Sequence, residues 1–193
     1  MMDILRTFLI YTHLLVFAFA ITTLYRSDMN LFFRKISQEK LRMLGDQMLW
    51  LLVVLAITGA GIVYIDTEFR YDAIMQADKL LAKMVCVGVL TLNAMVLHHV
   101  VFRKMAKAEL THGDMLLMSV SGAVSTCSWT FAGFLGVAKA FTKYFSFEHF
   151  LYLYGACLAV AIVVAIMLAP VIKRNWENNV VKNPLMPGAG AVR

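Results

Sequence analysis

The chain has 193 residues, of which 61% are hydrophobic and only 16% are charged, and its mean hydropathy is +0.72. Because soluble domains carry about 25% charged residues, this composition excludes an ordinary water-soluble protein. The excess of 18 Lys and Arg over 12 Asp and Glu does not indicate nucleic-acid binding, since no basic patch is interleaved with aromatic residues in a soluble segment.

Five long apolar runs separated by short charged loops follow one another along the chain. Each has about the length of roughly 20 residues that a helix needs to cross about 30 Å of hydrocarbon. The runs are Leu5–Tyr25, Gln47–Ile65, Leu80–Phe102, Met115–Val137 and Phe150–Ile172. The sequence therefore predicts an all-α polytopic membrane protein, with five transmembrane helices over residues 1–182 and a flexible tail at 183–193. The first run is expected to be a retained helix and not a cleaved signal peptide, because its leader has no net positive charge.

The loops alternate in charge, and this alternation predicts an orientation. Basic residues follow the first, third and fifth runs: Arg26, Arg34, Lys35, Lys40, Arg42, Arg103, Lys104, Lys107, Lys173, Arg174 and Lys182. The positive-inside rule then places the N-terminus outside and the C-terminus in the cytoplasm, with a bacterial inner membrane as the simplest location. Within the first of these loops, residues 27–46, an amphipathic stretch predicts a short helical segment on the cytoplasmic interface.

Small residues recur at four-residue spacing in the later runs. Ser121 and Ser125, like Gly122 and Thr126, would lie on one face of a helix, where small side chains let helix backbones approach closely in lipid. We therefore expect Gly122, Ser125 and Gly155 to lie at helix crossings, and the fourth helix to be the most enclosed of the five.

Polar side chains at membrane depth are the functional candidates, because each is costly in hydrocarbon unless it has a partner. His13 in the first run would lie roughly 12 Å below the outer surface. Imidazole ligates haem iron, zinc or copper, and Cys86, Cys127 and Cys157 lie at similar depths. These four side chains predict a zinc or copper(I) site, with inert packing cysteines and a histidine satisfied by a neighbouring polar group as the alternatives.

His98 and His99 lie at the end of the third run, near the cytoplasmic face. Asp46 and Asp114, which precede the second and fourth runs, are expected near the same face. Neighbouring residues differ by about 100° around a helix, so only one of the two imidazoles is expected to face the bundle. Either could hold a haem from this side, and a solvated interfacial position is the alternative. His13 and His98 would differ in height by about 15 Å, too far to hold the two faces of one haem.

A histidine in the first span and a third span that opens with lysines and closes with histidines resemble a known family. Here the residues are His13, Lys79, Lys83, His98 and His99. They resemble the small haem-associated membrane proteins of the copper-resistance-D and protoporphyrinogen-oxidase-J type. The resemblance covers spans one to three, and it implies haem b with His13 and His98 as the positions to carry over. The chain departs from that pattern by adding a fifth helix.

The fourth run contains Ser125-Thr-Cys-Ser128-Trp129, which is similar to uncharacterised polytopic bacterial membrane proteins and implies fold alone. Two functions remain open from the sequence: a haem b- or metal-binding redox helper, and a structural or accessory subunit of a larger membrane complex or homo-oligomer. A transporter or channel is disfavoured, because acidic residues are scarce within the predicted spans and no internal repeat is found.

Overall fold

The computed structural model describes residues 2–33, 38–105 and 111–182, and within these ranges the chain is helical apart from short connections. The helices are α1 (Met2–Phe33), α2 (Gln38–Thr67), α3 (Tyr71–Met75), α4 (Asp78–Val96), α5 (Phe102–Met105), α6 (His112–Val137) and α7 (Phe147–Lys182). A π-helical turn, Leu97–Val101, joins α4 directly to α5, and a 3-10 turn, Ala140–Lys143, lies between α6 and α7.

Five of these helices are long and apolar enough to cross a membrane. They are α1, α2, α4 with its continuation through α5, α6 and α7, and they correspond in order to the five apolar runs. The predicted all-α architecture with five membrane-span-like helices is confirmed. The predicted tail at 183–193 lies outside the described residues.

In the described residues, the stretch 27–46, predicted as a short interfacial segment, is not a separate element. Residues 27–33 continue α1 and residues 38–46 belong to α2, while residues 34–37 lie outside the described part. The physical reason is visible on one face of α1, where Ala20 and Leu24 are buried at helical spacing. The same spacing continues to Asp28, so this carboxylate belongs to a long helix and not to a surface loop.

The fourth apolar helix, α6, is the centre of the bundle. It packs against α1, α4 and α7, and 44% of its most apolar stretch is buried, against 6–17% in the other four long helices. The prediction that this helix is the most enclosed is confirmed. Small residues along α6 allow neighbours on several sides, because they keep the helix narrow.

The expectation that Gly122 and Gly155 lie at close helix crossings is wrong. A Cβ atom at either position would meet no atom within 4 Å. The close approach on α6 occurs at Gly133, where a Cβ would lie 2.6 Å from the ring of Phe17, and that ring packs 6.1 Å from the Trp129 ring. The four-residue spacing shows where backbones are able to approach, but not which positions have a neighbour.

These glycines give a matched test on a single helix. Gly133→Leu should lower the free energy of unfolding by about 1–3 kcal/mol, because the new side chain must displace the Phe17 ring from α6. Gly122→Leu makes the same chemical change in open space and should be near neutral. SDS titration of the purified protein in mixed micelles, followed by circular dichroism, measures both values. Equal losses would contradict the packing described for α6.

Candidate functional site

His13 packs against α2 and has a polar partner there. Its Nδ1 atom lies 2.8 Å from Oγ1 of Thr58, a buried residue. Thr58 donates its single hydroxyl hydrogen to the Val54 carbonyl at 2.9 Å, so Nδ1–H of His13 must be the donor in the first bond. The neutral imidazole then keeps a lone pair on Nε2, which is the ring atom left for a ligand.

His98 lies in the π-helical turn and is bonded through both ring nitrogens. Nδ1 is 3.0 Å from the Ala94 carbonyl oxygen, and Nε2 is 3.0 Å from Oδ1 of Asp46. Both ring nitrogens of His98 therefore already have protein partners, one within its own span and one on α2. His99 is exposed, as expected for one of two adjacent histidines. Binding of a haem iron at His98 would displace one of its two partners, so His98 stays a prediction.

The three cysteines lie on three different helices, and the structure does not assemble them with His13. Cys86 is fully buried and donates its thiol hydrogen to the Ser128 carbonyl at 3.2 Å. Across the described ranges, no group of three or more His, Cys, Asp or Glu side chains is placed to hold a metal ion. The four proposed ligands share a depth, but His13 packs on the α1–α2 pair, whereas Cys86 contacts α6. Cys127 and Cys157 share a groove instead.

This groove lies between α6 and α7 and has a volume of about 840 Å³, within the roughly 300–1,000 Å³ range of small-molecule sites. Its walls are mostly apolar, and on α7 they extend from Leu153 to Ile172, about 28 Å along the helix axis. Small residues such as Gly122 and Ala161 line it. The open space beside Gly122 is therefore part of a continuous cavity along the bundle.

One wall of the groove carries four connected polar side chains, here called the Asp28 cluster: Tyr25, Asp28, Thr126 and Thr130. Thr126 donates to Oδ2 of Asp28 at 2.6 Å. Thr130 donates to the Thr126 carbonyl at 2.7 Å, and its Oγ1 is 2.8 Å from the Tyr25 hydroxyl. Since the Thr130 hydrogen is already used, Tyr25 is the donor in that last bond.

Asp28 is the functional candidate that the sequence reasoning missed. It lies two residues before the end of the membrane-span-like stretch Met2–Asn30, beside Thr126 of α6. A carboxylate on the wall of an apolar groove is costly unless it has a partner, and such residues are typically functional. The predicted first span ends at Tyr25, so Asp28 was expected to lie in a loop. The spacing of Ala20, Leu24 and Asp28 was the available indication.

Comparison with known proteins gives no relative, because no family model, curated protein or solved structure matches this chain. The resemblance to the haem-associated family therefore stays a prediction. Function has to be inferred from the groove, the Asp28 cluster and His13.

The interhelical role of the His13–Thr58 bond can be tested by substituting two threonines, of which, within the described ranges, only Thr58 bonds to another helix. Thr58→Val should lower the free energy of unfolding by about 1 kcal/mol, because it removes the interhelical acceptor of the half-buried imidazole. Thr91→Val is the control, since the exposed Thr91 bonds, among the described residues, only to the Val87 carbonyl of its own helix. SDS titration in mixed micelles measures both. A loss at Thr91 as large as that at Thr58 would contradict an interhelical role.

Proposed function

We propose that this chain is a multi-pass protein of the bacterial inner membrane that holds a lipid-soluble molecule in the groove between α6 and α7. The observation that carries the proposal is the groove itself, with about 840 Å³ of space and the Asp28 carboxylate on its wall. The Lys and Arg distribution supports an outer N-terminus and a cytoplasmic C-terminus.

The open packing of this groove favours a binding role over a purely structural one. Helix seams in membranes are normally closed by small residues that bring the backbones together. Here Gly122, which lines the groove, has no neighbour for a Cβ atom, so at this position the small residue leaves space. Apolar walls suit a hydrocarbon chain, and a few polar groups at one point orient the ligand.

A photoactivatable hexadecanol that carries a diazirine in its chain tests this proposal. In liposomes that contain the purified protein, the probe should crosslink to the α7 peptide around Cys157, which lines the groove. Gly122→Leu should lower this labelling several-fold, because its side chain would occupy the open space of the groove beside α6. Gly88→Leu also enters open space but lies outside the groove lining, so it should leave labelling unchanged. Peptide mass spectrometry measures the sites.

Labelling that is equal in the wild type and in Gly122→Leu would contradict ligand binding in the groove. The same probe addresses the alternative of an accessory subunit. If a helix of another subunit covers the groove, the probe labels it in the purified protein but not in native membranes. Labelling in both settings supports the binding function.

Haem b ligation by His13 is the second candidate, and the lone pair on its Nε2 atom favours it. This proposal predicts a Soret band in the purified wild-type protein that His13→Ala abolishes while the helical circular-dichroism spectrum persists. His98→Ala should keep the band, because both ring nitrogens of His98 already have protein partners. A protein without a Soret band after expression with added haem precursor would contradict it.

A further inference from the structure

We infer that the groove selects a lipophilic amine, whose alkylammonium head binds Asp28 while its single hydrocarbon chain lies along α6 and α7. This inference rests on the proposed binding function of the groove and specifies its ligand class. Three features support it: the hydrogen-bonding capacity left in the Asp28 cluster, the lack of a positively charged partner for Asp28 among the described residues, and the length of the apolar groove.

The hydroxyl groups on the groove wall have no hydrogen left to donate. Thr126 gives its hydrogen to Asp28, Thr130 to a backbone carbonyl, and Tyr25 to Thr130. Ser119, further along the same groove, donates to the Met115 carbonyl at 2.9 Å. Only acceptor lone pairs remain on these oxygens. A ligand head that can only accept, such as a ketone, an ester or a carboxylate, finds no hydroxyl donor here.

Among ligand heads that donate hydrogen bonds, a positively charged head fits Asp28 better than a neutral one. Within the part of the chain that the structure describes, Asp28 forms one side-chain hydrogen bond, through Oδ2, and no salt bridge. A carboxylate in an apolar setting is destabilised unless it has a partner of opposite charge or several donors. An ammonium group supplies positive charge and up to three N–H donors to Oδ1 and the neighbouring hydroxyl oxygens. A neutral alcohol supplies one donor and no charge.

The charge of the phosphate separates a free amine from the amine of a phospholipid headgroup. Asp28 lies two residues before the end of the span-like stretch Met2–Asn30. A phosphatidylethanolamine headgroup would bring its phosphate anion close to the Asp28 carboxylate, and the two like charges would repel each other. A single-chain amine carries no such anion. The apolar groove, about 28 Å long on the α7 side, provides room for its chain.

Competition against the photoactivatable hexadecanol tests this selectivity at pH 7, where an alkylamine is protonated. At equal mole fractions in the bilayer, hexadecylamine should displace the probe at about a tenfold lower concentration than hexadecanol, a difference of about 1.4 kcal/mol. Asp28→Asn, which keeps the shape and removes the charge, should abolish that difference. Asp72→Asn, at an exposed carboxylate outside the groove, should retain it.

The wild-type comparison alone can overturn the inference, whatever the stability of the Asp28→Asn variant. Equal displacement by hexadecylamine and hexadecanol would refute the ammonium site while leaving a lipid-soluble ligand in the groove. Displacement by neither compound would refute both the inference and the proposed function. Replacing phosphatidylcholine liposomes with phosphatidylethanolamine liposomes should leave probe labelling unchanged, and a fall to the level seen with hexadecylamine would assign the site to the headgroup instead.

Discussion

Hydroxyl groups on apolar helices have few partners, and this scarcity determines much of the polar chemistry of the molecule. A threonine or serine in such a helix commonly donates its single hydrogen to the carbonyl one turn earlier, as Thr22, Thr58, Thr130 and Ser128 do. The oxygen then keeps lone pairs that can accept a hydrogen bond from a neighbouring helix. Thr58 accepts from His13 in this way, and Thr130 accepts from Tyr25. Thr126 is different, because its hydrogen goes to Asp28.

The same rule explains how polar groups hold the centre of the bundle together. Ser128 on α6 donates to its own helix and accepts from the Tyr154 hydroxyl of α7 at 2.7 Å, while its carbonyl accepts from Cys86 of α4. One residue thus joins three helices without an unsatisfied donor. Among the described residues, no buried side-chain nitrogen or oxygen lacks a partner. Cys86 is fixed by this arrangement, which accounts for its place in the core and not in a ligand set.

The sequence predicted the architecture well because the length and hydropathy of a span are local properties. The lateral arrangement of the helices is not local, and here the predictions were less accurate. Equal depth suggested that His13 and the cysteines belong together, but depth does not determine which helices are neighbours. Gly122 fits a close-packing pattern, yet it faces a cavity. Asp28 was missed because a charge near the end of an apolar run is usually assigned to the loop, and only the burial of Leu24 one turn earlier shows that the helix continues.

The π-helical turn at Leu97–Val101 has a consequence for how the third span can change. A π-type turn contains one residue more than the corresponding α-helical stretch, so residues on its two sides are out of phase by about 100°. The part of this span before the turn places Cys86 against α6, while the part after the turn places Nζ of Lys104 3.0 Å from Oδ1 of Asp114. A one-residue deletion at the turn would restore ordinary α-helical phase and leave the part before the turn unrotated. Changes in span length are therefore best tolerated at this turn.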